Sequence, residues 1–159
     1  MSAFPHLNDQ GDAHMVDVTA KSVTERSATA RSRVSMSDEV VSRLRAGDMP
    51  KGDAFAVARI AAISASKKTS ELIPLCHPLA IHGVNVDLSL DTTGVEITVT
   101  VKTADRTGVE MEALTAASVG ALALIDMVKG LDRLARIEYV ELLEKKGGRS
   151  GHWIRSENE

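Results

Sequence analysis

The sequence predicts an α+β fold in which an antiparallel sheet packs on helices. Three observations point there. The adjacent stretches "GVNVDLSL" and "GVEITVTVK" alternate apolar and polar residues across a short polar turn, as a half-buried hairpin does. A third stretch, "ATARSRVSM", alternates in the same way. Around these strands lie segments with helical start and stop signals.

Taken in order, residues 1–20 are polar without a clear period and read as an arm. In the first strand Ala28, Ala30, Ser32, Val34 and Met36 oppose Thr29, Arg31, Arg33 and Ser35. "SDEVVSRLRAG" follows as a helix with Ser37 as N-cap, acids in the first turn and Gly47 as its stop. Asp53 caps a second helix, "AFAVARIAAISASKK", whose recurring Ala and Ser allow close approach of a neighbour. The hairpin sets Val84, Val86, Leu88 and Leu90 beside Val95, Ile97, Val99 and Val101, joined by "DTTG". A long apolar helix spans Thr107 to Gly130, and "RIEYVELLE" is a last strand. Residues 145–159 form a Gly-rich basic loop and a polar tail. The order is close to the βαββαβ pattern of ferredoxin-like folds with one additional helix. No repeat or linker divides residues 1–159, so a single domain is expected.

Composition narrows the function classes. Hydrophobic residues make up 43%, too many for a disordered chain, and aromatics only 3%, so the core is aliphatic. A net charge of −3 gives no general affinity for nucleic acid or an anionic membrane. Cys76 is the only cysteine, which excludes an intrachain disulfide and suits a reducing compartment. Asn8, Asp9, Asp12 and His14 interrupt any signal-peptide core. The apolar stretch Ala113 to Ile125 is shorter than a membrane span. A cytoplasmic protein with neither nucleic-acid nor membrane partners is expected.

The chemistry concentrates at the long helix. Glu110 and Glu112 stand at its start, and Asp126 and Lys129 near its finish. Buried charges there are costly unless paired or used. Asp126 and Lys129 are three apart and can touch; alone, a surface ion pair accounts for them. Both helix faces are apolar, with Leu114, Ala117, Ala121, Ile125 and Val128 on the second, which calls for a neighbouring subunit. "LIPLCHPL" holds Cys76 and His77 between Pro74 and Pro78. Neighbours in an extended loop point apart, so a Cys–His nucleophile pair fits poorly. One cysteine without paired ligand spacing fits zinc still less. His77 is then either a structural histidine or a hydrogen-bonding group for a substrate. "PKGDAF" puts Lys51 and Gly52 at a helix start, where anions bind. "KKGGRSG" adds Lys145, Lys146 and Arg149 with three glycines, without Walker spacing. Together these sites suggest a phosphorylated small molecule carrying a basic heterocycle.

"HMVDV", "KGD", "LIPLCHPL", "TGVEMEALTAAS", "DMVK" and the "GGRSG" ending resemble the cyclic pyranopterin monophosphate synthase family of molybdenum cofactor biosynthesis, from about His14 to Gly151. One departure is Arg149, where the family pattern leads one to expect lysine. The resemblance implies a ferredoxin-like homohexamer, a trimer of dimers with sites at subunit interfaces. It implies a lyase that converts (8S)-3′,8-cyclo-7,8-dihydroguanosine 5′-triphosphate to cyclic pyranopterin phosphate and diphosphate. It assigns Asp126, Lys129 and Lys51 to catalysis, and Leu75, Cys76, His77, Met111 and Glu112 to substrate binding. Glu110 is a further contact to the heterocycle, and Arg26 and Lys145 hold the triphosphate. No cofactor and no protein-bound metal is implied; a divalent ion accompanying the triphosphate is left open. A regulatory module that binds a phosphorylated metabolite is the alternative, and an RNA-binding ferredoxin-like domain is disfavoured by charge and by the lack of sheet aromatics.

Overall fold

The computed structural model describes residues 5–156. Its elements are β1 (Thr24–Ser35), α1 (Asp38–Ala46), α2 (Ala54–Ser66), α3 (Thr69–Leu72), β2 (Gly83–Leu90), β3 (Gly94–Asp105), α4 (Glu110–Val128), β4 (Arg136–Lys146) and β5 (Trp153–Ile154). The architecture is α+β, with one open antiparallel sheet in the order β2-β3-β1-β4-β5.

The alternation in β1 sorts its side chains between two faces. Ala28, Ala30, Ser32 and Val34 are buried under the helices, while Arg31 and Arg33 lie opposite and pair with Glu141 and Asp91. Ser32 is a polar residue in this dry layer, and its Oγ donates to the Ala117 carbonyl of α4 at 2.8 Å. The hairpin forms as expected, and Asp91 organises its turn by accepting from the backbone N–H groups of Thr93 and Gly94. The expected caps are also in place. Ser37 accepts from Val40 N–H, Gly47 takes the left-handed conformation, and Asp53 accepts from Ala56 N–H.

Helices α2 and α4 pack through small residues. A Cβ added at Gly120 would lie 3.3 Å from Ala62 Cβ and 3.5 Å from the Ala58 carbonyl oxygen. By length and composition α4 could cross a membrane, but 56% of its apolar window is buried, as in a core helix. Its Ala117, Ala121, Leu124 and Val128 are buried. A row formed by Met111, Leu114, Ser118, Leu122 and Ile125 stays at least partly exposed, with Leu122 at 56%.

Three features differ from expectation. The strand β1 starts at Thr24, because its polar first residues pair with the end of β3. The single turn α3 is too short to show a period. The tail is not loose through residue 156: Lys145 and Lys146 end β4, and Trp153 and Ile154 return to pair with it. Gly147 and Gly148 have φ of 91° and 74°, and a Cβ on them would lie 2.2 Å from the Glu25 carbonyl oxygen and 2.2 Å from Arg26 Nη1. These glycines thus let the tail close against β1 and Arg26.

Candidate active site

Two groups of the expected residues gather at opposite ends of α4. At its start the helix has no side-chain cap. Glu110 folds back over Gly108, where a Cβ would collide with its carboxylate, and its Oε1 accepts from Lys145 Nζ at 2.9 Å. Lys145 reaches that point because its partner across the sheet is Ala28, on the helix-covered face. Glu112 is only 4% exposed. Burial pushes its carboxyl above the usual carboxylate range, and the neighbouring Glu110 charge adds to this.

The loop after α3 turns on a bond from Cys76 N–H to the Ile73 carbonyl and delivers Leu75, Cys76 and His77 to the same place. Burial raises the Cys76 thiol, with the Glu112 charge second, which makes it a poor thiolate nucleophile. Leu75, Cys76, His77, Glu110, Met111 and Glu112 all line one cleft of about 330 Å³. The rest of the lining escaped the reading of the sequence: it is the arm, with Pro5, His6, Val16, Val18 and Lys21, joined by Thr107 and Gly108. "HMVDV" was the available signal there, but it carried no assigned role.

At the far end of α4, Lys129 Nζ lies 2.6 Å from Asp126 Oδ1. Lys51 Nζ donates to the Asp126 carbonyl oxygen at 2.7 Å and lies 3.5 Å from Oδ2. The two lysines, Lys129 foremost, hold the Asp126 carboxyl below its ordinary range. All three side chains are about half exposed. The start of α2 beside Lys51 is capped by Asp53, and Lys51 reaches across to the end of α4.

Asp126 and Glu112 are fourteen residues apart on one helix, which is about 21 Å along the axis. Lys51, Asp126 and Lys129 therefore do not reach that cleft within this chain. Arg26 also stands outside that cleft. Its Nε donates to the Asp105 carbonyl at 3.0 Å, and it borders a second cavity of about 580 Å³ with Ser27, His82, Lys102 and Lys146. Among the described residues no cluster of three or more His, Cys, Asp or Glu has the arrangement of a metal site.

Known proteins give this geometry its context. The family model described as "MoaC family" matches residues 15–148. A protein of Streptomyces avermitilis named cyclic pyranopterin monophosphate synthase is 58% identical over 151 residues, covering 95% of this chain and 89% of the relative. A Streptomyces coelicolor protein of the same name is 56% identical, with the same coverage of both chains. Cyclic pyranopterin monophosphate synthase 2 of Mycobacterium tuberculosis is 53% identical over 150 residues, 94% of this chain and 90% of its own. With the family pattern running through the arm, the cleft loop, the whole of α4 and the last long strand, the chain belongs to the MoaC family.

Proposed function

We infer that this chain is a lyase of molybdenum cofactor biosynthesis, a cyclic pyranopterin monophosphate synthase. It converts (8S)-3′,8-cyclo-7,8-dihydroguanosine 5′-triphosphate to cyclic pyranopterin phosphate and diphosphate in the cytoplasm. The observation that carries the reading is the convergence of Leu75, Cys76, His77, Glu110, Met111 and Glu112 on one cleft, in a chain that shares most of its length with synthases of that name. Purine ring opening, pyranopterin closure and cyclic phosphate formation exchange protons without a net redox step, so the reading calls for no redox cofactor.

Each group has a role suited to its setting. Carboxylates at Glu110 and Glu112 accept hydrogen bonds from the N–H edge of a guanine-derived ring. Lys145, one bond away from Glu110, supplies positive charge for phosphate, and Arg26 extends it along β1. Asp126 and Lys129 exchange protons, with Lys51 as the second catalytic lysine. Because the Asp126 group lies about 21 Å from Glu112, a second copy must complete the pocket. Antiparallel packing of α4 on its copy, along Met111, Leu114, Ser118, Leu122 and Ile125, covers the exposed row. It brings Asp126 of the partner subunit beside Glu112. Three such dimers make the proposed hexamer. The order β2-β3-β1-β4, with α2 and α4 packed on the core, supports a ferredoxin-like assignment to which β5, α1 and α3 are additions.

The test is incubation of the purified protein with the cyclic dihydroguanosine triphosphate, reading diphosphate release and the pterin product together. Binding without release of diphosphate would make the chain a regulatory module instead.

A further inference from the structure

The arm is more than a polar leader, because its backbone holds a site residue. His77 Nε2 lies 2.5 Å from the carbonyl oxygen of Val16, sixty-one residues earlier in the chain. A carbonyl oxygen only accepts hydrogen bonds, and a neutral imidazole has one donor and one acceptor. In the neutral ring the hydrogen then sits on Nε2 and the lone pair on Nδ1.

The surroundings support a built contact. Arg106 Nε donates to the Lys21 carbonyl at 3.0 Å, anchoring the arm just beyond Val16. Thr19 N–H donates to Asp17 Oδ1 at 2.8 Å, which fixes the turn of the arm directly after Val16. The charged and titratable groups facing the ring are Asp17 from the arm and, around the shared cleft, His6, Lys21, Cys76, Glu110 and Glu112.

We propose that the arm is a working wall of the substrate cleft, in which the Val16 carbonyl fixes His77 as its Nε2–H tautomer and presents Nδ1 as a hydrogen-bond acceptor. This rests on the assignment of His77 to substrate binding. The two nitrogens of a histidine differ in function according to the bond the other one makes. The opposite tautomer would turn the acceptor into a donor and repel a substrate N–H or O–H at that point. Val16 is thereby a positioning residue that acts through its main chain.

The measurement is nitrogen NMR of the His77 ring in the full-length protein. Wild type is compared with a variant in which the Val16–Asp17 amide is replaced by an ester, which weakens the Val16 carbonyl as an acceptor without altering a side chain. Wild type is expected to show the neutral ring protonated at Nε2. The ester variant should show a mixed tautomer population and about a tenfold loss in kcat/KM. An Nδ1–H ring in wild type, or the same population in both proteins, overturns the proposal. The spectra need no substrate, so failure of the synthase reading, seen as no diphosphate release by wild type, is distinguishable from failure of the arm contact.

Discussion

Asp126 and Glu112 share one helix, yet their carboxylates respond to pH in opposite senses. Lys129 and Lys51 hold Asp126 below its ordinary range at an exposed position. Its contribution to stability is present above the unfolded carboxylate pKa, is lost as pH falls, and is small because water and salt screen it. Asp126→Ala is therefore expected to shift Tm by no more than about 2 °C while lowering diphosphate release at least about 100-fold. A variant that melts early but turns over when folded would reduce Asp126 to an ion-pair partner. Lys129→Met keeps the side-chain stem and should fall by a similar factor; near-normal turnover would remove the lysine from proton transfer. Glu112 is the reverse case, because burial raises its carboxyl. The folded state holds that proton longer than the unfolded chain, so stability declines as pH rises from the ordinary carboxylate pKa through the raised folded one. Glu112→Gln should raise Tm by about 3 °C near neutrality, shrinking towards about pH 4, and weaken substrate binding roughly tenfold. Calorimetric melts at both pH values with parallel binding titrations check this, and a lower Tm at neutrality would show that the charge is stabilising.

At the scale of elements, what could be read from the chain depended on whether an element carries its own signal. The hairpin and the helices α1 and α2 do, since alternation and the caps at Ser37 and Asp53 are local properties. Strand β5 does not. It is two residues long and exists because β4 offers Glu144 and Lys145 as an edge. The arm has no helix or strand period, and turns such as the Asn8 bonds to Gln10 and Asp12 N–H shape it. The candidate site divides along the same line. Asp126 with Lys129 was legible as a spacing on one helix, whereas Lys51 with Asp126 joins positions seventy-five residues apart. Resemblance supplied Lys51's role, but only folding shows what it touches. The α2–α4 seam gives the prediction at this scale. A Cβ on Gly120 would lie 3.3 Å from Ala62 Cβ with backbone just beyond, so Gly120→Val must push the helices apart and should destabilise by about 1–3 kcal/mol. Chemical denaturation measures it, and an unchanged midpoint would mean that the seam yields freely.

The molecule as a whole has both a covered and an uncovered side of α4. Leu122, at 56% exposure in the uncovered row, is the place to test whether a copy lies there. Leu122→Asp should leave the protomer folded, lower the mass seen by light scattering and abolish turnover. Retention of the wild-type mass with full activity would move the interface elsewhere. Mixing inactive Lys51→Ala and His77→Ala proteins under conditions of subunit exchange tests the division of the pocket directly. Random pairing makes half the dimers mixed, each with one of two sites intact, so about a quarter of wild-type activity should return. Continued inactivity after proven exchange would place both residues in the same subunit's half. The length of α4 has a further consequence for enzyme quantity. With the proposed acid–base groups at one end and the proposed ring-binding cleft at the other, a solitary protomer would capture its ligand without transforming it. Below the concentration at which copies pair, added protein would sequester substrate, and specific activity would climb with enzyme concentration before levelling off.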